Sequence, residues 1–472
     1  MERNHFLKTA GLLTAGIFFK DLALAQNLSS YPVVRVALNK RKFHSIAVEA
    51  AIEEFKLKVS NKELGWLFEN CFPNTLDTTV DYTVVDNKPD TYVITGDIDA
   101  MWMRDSTAQV WPYLSLIKKD KDLQQLIAGV INRQTSNVLK DPYANAFYKD
   151  AAKESEWKTD LTPMQPGIHE RKWEIDSLCY PIRLAYNYYK ITGDTSPFDA
   201  QWKEAIKTIL KTFKEQQRKK SNGPYSFQRI TSFATDTVPL SGYGYPVKPV
   251  GLICSMFRPS DDATIFPFLI PSNFFAVVSL HQAAQMIKQI FKEEALSAEL
   301  SSLAFEVEKA LQQYAIIDHP AYGKIYAYEV NGYGSYNLMD DANVPSLLSL
   351  PYLDAVKIND PVYINTRKML LSLNNPFFFK GKAAEGIGGP HAGMNMIWPL
   401  GIIMRGLTSK DAAEIKACIK MLQQTHADTG FMHESFNKDD ATQFSRKWFA
   451  WANTLFGELL WHVYKTKPHL LT

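Results

Sequence analysis

Residues 96–106 concentrate side chains that can bind sugar hydroxyls. They read Gly-Asp-Ile-Asp-Ala-Met-Trp-Met-Arg-Asp-Ser, so three carboxylates, one arginine and one tryptophan fall within nine residues. Carboxylates and guanidinium groups form directional hydrogen bonds with vicinal hydroxyls, and an indole offers an apolar face to a sugar ring. In the alternative interpretation, Asp105 caps a helix and Arg104 pairs with a nearby aspartate. We favour a ligand site, with the candidates Asp97, Asp99, Trp102 and Arg104.

Residues 169–177 form a second polar group, with the sequence His-Glu-Arg-Lys-Trp-Glu-Ile-Asp-Ser. The group precedes a predicted helix, so Asp176 is either a helix cap or a pocket residue. A charge run of this kind is also typical of a solvated face. Glu174 and Asp176 are therefore candidates for a pocket, with the capping interpretation left open.

Residues 257–263 form a third group, Phe-Arg-Pro-Ser-Asp-Asp-Ala. Adjacent acids on a turn point in different directions, so at most one of Asp261 and Asp262 is expected to be catalytic. A carboxyl group beside other acids, or in a partly apolar pocket, has a raised pKa, which suits a general acid. Arg258 lies in the same motif.

Two further loops carry histidines. Residues 386–391 read Gly-Ile-Gly-Gly-Pro-His and lack the ending of a phosphate-binding loop, so His391 is either a hydroxyl ligand or a structural histidine. Residues 429–436 contain His433 and Glu434, but no second histidine completes a His-Glu-x-x-His zinc motif. A loop carboxylate between His and Ser is a reasonable general base. The chain has no Gly-x-Ser-x-Gly elbow, which argues against a serine hydrolase.

Composition excludes several classes of protein. The 472 residues carry 52 Lys and Arg against 50 Asp and Glu, a net charge of +2, so the basic excess of a nucleic-acid-binding protein is absent. The four cysteines are widely spaced and form no Cys-x-x-Cys pair, so they are expected to be buried free thiols, with a disulfide of undetermined pairing as the alternative. We find no motif for a metal or an organic cofactor and predict none.

The first 25 residues have the pattern of an export signal. Basic residues flank the apolar run 10–19, and Ala23-Leu24-Ala25 offers a small-x-small cleavage site before Gln26. The alternative is an ordinary buried N-terminal helix. No later apolar run reaches the ~18 residues that a membrane span needs. We predict that residues 1–25 are removed and that residues 26–472 form a single domain, exported to the periplasm or secreted.

Apolar residues recur at helical spacing along most of the chain. Trp202, Ile206, Ile209 and Phe213 are separated by 4, 3 and 4 positions, which predicts one face of an amphipathic helix. Similar patterns predict helices at roughly 45–58, 105–117, 120–139, 174–190, 273–290, 292–314, 359–373, 394–405, 409–424 and 446–464.

Short strands interrupt these helices. Alternating residues at 82–85 and 92–95 predict a hairpin, and residues 324–330 predict another strand. About a dozen helices without a polar linker indicate one mostly α domain, and consecutive helical hairpins can close into an (α/α)6 barrel. The polar loops would then gather at one mouth, where a rigid scaffold holds functional groups around a cleft.

Carboxylates on scattered loops of an aromatic-rich, exported helical protein fit glycoside hydrolysis. That reaction needs two carboxyl groups across a glycosidic bond, one to protonate the leaving oxygen and one to attack the sugar or activate water.

Four of the motifs, read together, resemble one enzyme family. Residues 97–106, 174–181, 258–262 and 433–436 are similar to the motifs of the metal-independent exo-α-1,6-mannosidases, glycoside hydrolase family 125. Each motif alone is modest, but four in the same order are specific. The similarity extends over nearly the whole chain after the predicted signal.

The resemblance implies an (α/α)6 barrel and the removal of terminal α-1,6-linked mannose from an oligosaccharide with inversion, without a metal. It implies that Asp261, within Arg-Pro-Ser-Asp-Asp, is the general acid, with Asp262 as the alternative, and that Glu434 is the general base. An inverting pair lies roughly 6.5–9.5 Å apart, which leaves room for a water molecule. Residue type and position make the expected sugar-binding residues Asp97, Asp99, Trp102, Arg104, Asp176, Arg258, His391 and His433.

Two alternatives stay open at this point. Another (α/α)6 glycosidase, similar to trehalase or glucoamylase, would share the fold and the paired carboxylates but act on glucosides. A periplasmic glycan-binding protein would use the same Asp, Arg and Trp residues for affinity and would not need an opposed acid and base.

Overall fold

The structure, a computed structural model, describes residues 31–472, and residues 35–472 form one compact unit. Helices account for 45% and strands for 12% of the described residues, so the predicted mostly α class is confirmed. Among the described residues, no helix is both long and apolar enough to cross a membrane. The predicted signal peptide at 1–25 lies outside the described residues, and the domain boundary at residue 26 stays a prediction.

Thirteen α-helices lie within residues 31–472. In chain order they are α1 (Ile46–Lys58), α2 (Lys62–Cys71), α3 (Asn74–Thr78), α4 (Met103–Val110), α5 (Lys121–Lys140), α6 (Ile175–Thr192), α7 (Ala200–Gln216), α8 (Ile270–Met286), α9 (Glu294–Tyr314), α10 (Pro361–Leu370), α11 (Pro399–Leu407), α12 (Ala412–Gln424) and α13 (Ala450–Thr466).

Fifteen short strands lie in the same part of the chain, mostly in the loops between helices. They are β1 (Val80–Val85), β2 (Lys88–Val93), β3 (Met101–Trp102), β4 (Ala146–Phe147), β5 (Ile168–Glu170), β6 (Phe268–Leu269), β7 (Ile316–His319), β8 (Gly323–Tyr326), β9 (Glu329–Val330), β10 (Tyr336–Asn337), β11 (Phe378–Lys380), β12 (Glu385–Ile387), β13 (Met396–Ile397), β14 (Ser435–Asn437) and β15 (Phe444–Ser445). All of their pairings are antiparallel.

The helices form the two layers of an (α/α)6 barrel, as predicted. In the inner layer α4 packs against α6 and α13, α6 packs against α8, and α11 packs against α13. In the outer layer α5 packs on α6, α9 on α8 and α12 on α11. Every residue of α4 is buried, including its polar ones, because neighbouring elements surround it on all sides.

The predicted face of α7 is confirmed. Trp202, Ile206, Ile209 and Phe213 are all at most 3% exposed. Asp199 caps the helix by accepting hydrogen bonds from the backbone N–H groups of Gln201 and Trp202, which have no partner inside the helix. The apolar spacing therefore fixes the buried side, and the cap fixes where α7 begins.

Several predicted elements differ from the observed ones at their ends. The helix predicted at 105–117 ends at Val110 and continues as a 3₁₀ turn over Trp111–Ser115, where Pro112 cannot donate the next helical hydrogen bond. The predicted hairpin is confirmed as β1 and β2, while the strand predicted at 324–330 is divided into β8 and β9. The short helices α2 and α3 were not predicted.

All four cysteines are free and buried, which confirms the thiol interpretation and makes the disulfide alternative wrong.

Candidate active site

Four inner helices begin at one mouth of the barrel. Helix α4 starts after Trp102, α6 after Glu174, α11 after Trp398 and α13 after Phe449. A cavity of about 370 Å3 lies at this mouth. Its walls contain the charged residues Arg104, Asp105, Glu170, Lys172, Arg229, Asp236, Asp261, His391, Glu434 and Arg446 and the aromatic residues Trp102, Trp157, Trp398, Phe449 and Trp451. The polar loops thus gather at one mouth, as predicted.

Arg104 organises one side of the cavity. Its Nη1 donates to Glu174 Oε2 at 2.6 Å and to Asp176 Oδ2 at 3.1 Å, and its Nη2 donates to Asp261 Oδ1 at 3.2 Å. The side chains of Glu174 and Asp176 are 0% exposed, whereas that of Asp261 is 22% exposed. Of these three carboxyl groups, Asp261 alone lines the cavity.

The carboxyl groups around Arg104 differ in pKa because each sees a different balance of burial and charge. Burial raises the pKa of Glu174 well above its usual range despite Arg104, and the negative charge of Asp261 adds to the rise. Burial raises the pKa of Asp261, but Arg104, Lys172, Glu174 and His391 together lower it further, so the pKa of Asp261 lies well below its usual range. Hydrogen bonding between the two carboxyl groups raises the pKa of Glu174 and lowers the pKa of Asp261, which favours a proton on Glu174 beside an ionised Asp261.

This result corrects one expectation. The raised pKa predicted for an acid within the 257–263 motif belongs instead to Glu174, because Glu174 is fully buried, whereas the charge of Lys172 lowers the pKa of Asp261 in addition to that of Arg104. Burial also raises the pKa of Asp176 to about 6. Of the carboxyl groups that Arg104 binds, Glu174 therefore favours its protonated form, and its neighbour Asp261 is the one that lines the cavity.

Asp261 and Asp262 point apart, as predicted for adjacent acids on a turn. The N–H of Asp261 donates to the carbonyl of Arg258 at 2.9 Å, and Asp261 has a left-handed φ of 65°. Asp262 lies behind it, 4% exposed, with Oδ1 at 3.5 Å from His391 Nδ1. Burial lowers the pKa of His391, but the hydrogen bond with Asp262 outweighs this effect together with nearby negative charges. The pKa of His391 is therefore raised to about 9. The turn therefore exposes Asp261 to the cavity and uses Asp262 to hold a protonated histidine.

Glu434 lies in the other wall, immediately before strand β14. Its Oε2 accepts a hydrogen bond from the Ser445 hydroxyl at 2.9 Å, and its Oε1 accepts one from Arg446 Nη1 at 3.2 Å. Strand β15 brings both donors beside Glu434 by pairing Ser445 with Ser435. Two donors to an otherwise buried carboxylate fix its orientation.

Arg446 also binds Asp97, one of the predicted sugar ligands. Arg446 Nε donates to Asp97 Oδ1 at 2.9 Å, and Nη2 donates to Thr95 Oγ1 at 3.3 Å. Asp97 does not line the cavity; it supports the arginine that supports Glu434. Arg446 stands alone in the sequence, with no motif around it, and its role was not predicted.

The structure brings five predicted residues into the cavity wall and leaves five outside it. Those in the wall are Trp102, Arg104, Asp261, His391 and Glu434. Those outside are Asp97, Asp99, Asp176, Arg258 and His433.

Three of the outlying residues have partners that account for them. Asp99 is 75% exposed and lies 3.4 Å from Lys153. Arg258 is buried and donates to Glu329 Oε1 at 2.7 Å. His433 stacks on Phe444 with ring centroids 3.6 Å apart, and burial lowers its pKa to about 4. None of these contacts was visible in the sequence, because each joins residues whose adjacency depends on the folded loops.

No group of three or more His, Cys, Asp or Glu side chains within residues 31–472 is arranged to hold a metal ion. A larger groove of about 1320 Å3 lies on the outside of the barrel between α7 and α9. Ion pairs such as Lys219–Glu306 bridge it at the surface, with side chains 47% and 41% exposed. It has none of the buried, proton-sharing carboxyls of the mouth, so the mouth is the candidate active site.

A family model for metal-independent alpha-mannosidases (GH125) matches residues 61–461. The chain belongs to this family. A solved GH125 structure from Streptococcus pneumoniae, a non-productive substrate complex with α-1,6-mannobiose, is 41% identical, has a TM-score of 0.87, and is matched over 90% of this chain and 100% of its own. The Schizosaccharomyces pombe protein called meiotically up-regulated gene 157 protein is 43% identical over 93% of this chain and 90% of its own length.

A more distant structure is similar in fold alone. A bacterial glucoamylase complexed with acarbose has a TM-score of 0.51 at 14% identity, matched over 79% of this chain and 50% of its own. The barrel is therefore shared with glucosidases, whereas the family membership separates this GH125 chain from them.

Proposed function

We propose that this GH125 protein is an exo-acting hydrolase that removes terminal α-1,6-linked mannose with inversion, using Asp261 as general acid and Glu434 as general base. The observation that carries the proposal is that both carboxyl groups line the same cavity, where Arg104 binds Asp261 and Arg446 binds Glu434. The mannobiose complex of the Streptococcus pneumoniae relative supports the choice of substrate.

Asp261 would protonate the glycosidic oxygen. The shared proton of the Glu174–Asp261 pair reaches that oxygen through Asp261, because Glu174 does not line the cavity. The bond between the anomeric carbon and the leaving oxygen then breaks, and the pair is left without its proton. Arg104 neutralises part of the negative charge that remains on the pair.

Glu434 would remove a proton from the water that attacks the anomeric carbon. Its hydrogen bonds from Ser445 and Arg446 hold the carboxylate in the fixed orientation that a positioned base requires. Attack from the face opposite the leaving group gives the inverted sugar. Each turnover thus moves one proton to the leaving sugar and one to Glu434, and exchange with solvent restores both groups.

Replacing Glu174 with glutamine tests the proton-sharing pair. The variant removes the shared proton, and Arg104 and Lys172 still lower the pKa of Asp261. In the wild type, the acid stays protonated until the pH rises through the raised pKa of Glu174. The variant lacks this group, so the basic limb of its pH profile of kcat/KM for α-1,6-mannobiose should move to lower pH. At neutral pH we expect a loss of about 10²-fold.

Asp176→Asn is the matched control, because Asp176 shares Arg104 Nη1 with Glu174 but does not line the cavity. Asp176→Asn should lower kcat/KM less than Glu174→Gln does, and it should shift the basic limb of the pH profile less. If the two variants have the same pH profile, the acid's proton does not come from the pair.

A panel of disaccharides tests the substrate. We expect release of mannose from α-1,6-mannobiose in the presence of a chelator, and much slower release from α-1,2- and α-1,3-mannobiose. Glucose released from isomaltose or trehalose at a comparable rate would favour a glucosidase, and binding of mannobiose without turnover would favour a glycan-binding protein.

We also propose that the protein is exported and that residues 1–25 are removed. The apolar run 10–19 and the small residues before Gln26 support this. Mass spectrometry of the protein from the culture's periplasmic and secreted fractions should find Gln26 as the first residue. An intact Met1 in the cytoplasmic fraction would contradict the proposal.

A further inference from the structure

The cavity wall beside Asp261 ends in an aromatic ring that the proposed chemistry does not use. Trp157 is half-buried and lines the cavity. The guanidinium group of Arg229 covers its ring at 3.8 Å from the ring centroid. We propose that Trp157, supported by Arg229, is the platform that binds the sugar on the leaving-group side of the scissile bond; this rests on the proposed function.

Arg229 is immobilised to an unusual degree. It donates to both oxygens of Asp160, at 2.9 and 2.7 Å, to both oxygens of Asp236, at 3.1 Å each, and to Glu170 Oε1 at 3.0 Å. Its side chain is 5% exposed. These hydrogen bonds fix the position of the guanidinium group. The Trp157 ring therefore packs on a group that does not move.

The backbone of Trp157 is anchored as well. Its N–H donates to Ser155 Oγ at 3.0 Å, and its carbonyl accepts from the N–H of Asp160 at 2.9 Å. Both carboxylate oxygens of Asp160 also accept hydrogen bonds from Arg229. One short loop therefore fixes the positions of both the Trp157 ring and Arg229. A preorganised aromatic face loses little conformational entropy when a ligand stacks on it.

A chain of hydrogen bonds connects this platform to the acid. Asn145 Nδ2 lies 3.3 Å from Asp261 Oδ1 and 3.3 Å from Glu170 Oε2, and Glu170 in turn accepts from Arg229. The platform is therefore on the same side of the cavity as Asp261. A general acid lies beside the glycosidic oxygen, so the sugar released with that oxygen lies on the acid's side and the terminal mannose lies between acid and base.

The surroundings of the indole suit a hexose rather than an apolar group. Lys172 and Asp236 line the same wall and are paired at 2.7 Å, which leaves charged donors and acceptors next to an aromatic face. A sugar complements such a surface, because its ring C–H groups can pack on the aromatic face while its hydroxyls bond to the charged groups. The platform would therefore favour a mannosyl leaving group over a small leaving group that cannot reach the ring.

The test compares Trp157→Ala with Trp157→Phe on two substrates. The first is α-1,6-mannobiose, and the second is α-mannosyl fluoride, whose leaving group is a single atom. We expect Trp157→Ala to lower kcat/KM for mannobiose about tenfold and to leave mannosyl fluoride within about twofold of the wild type. Trp157→Phe keeps an aromatic face, so its kcat/KM for mannobiose should lie between that of the wild type and that of Trp157→Ala.

Binding measurements separate this inference from the catalytic proposal. By isothermal titration calorimetry, Trp157→Ala should weaken binding of S-linked α-1,6-thiomannobiose about tenfold and leave 1-deoxymannojirimycin, a single-ring ligand, unchanged. Equal losses on both ligands, or no loss on either, would overturn the platform. A wild type that binds both ligands but hydrolyses neither substrate would overturn the proposed function and leave this comparison valid.

Discussion

Asp261→Asn is expected to lower kcat for α-1,6-mannobiose about 10³-fold while retaining much of the activity on 2,4-dinitrophenyl α-mannoside. An alkoxide leaving group needs protonation as the bond breaks, whereas dinitrophenolate leaves without it. The substitution removes the one carboxyl group bound by Arg104 Nη2 that lines the cavity, and Glu174 does not line it. Steady-state kinetics on both substrates measures the difference.

Asp262→Asn is the matched control for this variant. Asp262 is the adjacent residue in the chain, but it is buried and pairs with His391 instead of lining the cavity. Its replacement should affect both substrates alike and by far less than 10³-fold. If Asp262→Asn shows the selective loss, or if Asp261→Asn loses both substrates equally, Asp261 is not the general acid.

Glu434→Gln is expected to lower kcat about 10³-fold or more on both substrates, because attack by water needs the base whatever the leaving group. Azide, a nucleophile that needs no deprotonation, should restore turnover and give β-mannosyl azide. Product analysis by mass spectrometry and proton NMR checks both the rescue and its stereochemistry.

Ser445→Ala is the control on this side of the cavity. It removes one of the two side-chain donors to Glu434 and leaves Arg446 in place, so a loss of less than about tenfold is expected. Near-normal turnover by Glu434→Gln, or rescue by azide that gives the α-azide, would remove Glu434 from the role of base.

The amphipathic spacing of the sequence predicts the helices well. The buried face of α7 follows directly from residues such as Trp202 and Phe213, because burial of a helix depends on spacing within the helix itself. The ends are harder to predict, since they depend on local chemistry such as Pro112, which converts the end of the helix at 105–117 into a 3₁₀ turn.

The site is only partly predictable, for a different reason. Trp102, Arg104, Asp261, His391 and Glu434 line the cavity, and each lies in a dense local motif. Arg446 supports Glu434 across a turn, and it binds Asp97 from the other end of the chain, so no local pattern marks it.

The difference in pKa between Glu174 and Asp261 is also not predictable from the sequence. Both residues are candidates in the sequence, but their pKa values depend on which of them is fully buried and which lies within reach of the charge of Lys172. Asp99 does not line the cavity for a similar reason, because residue type says nothing about the direction in which a loop side chain points.

The stereochemistry of the first product tests the paired-carboxylate account most directly. The experiment is proton NMR of an α-1,6-mannobiose digest, recorded from the earliest times with a chelator present, before the released sugar mutarotates. The account predicts that β-mannose appears first, since Glu434 activates water on the face opposite the leaving group. Appearance of α-mannose first would contradict it.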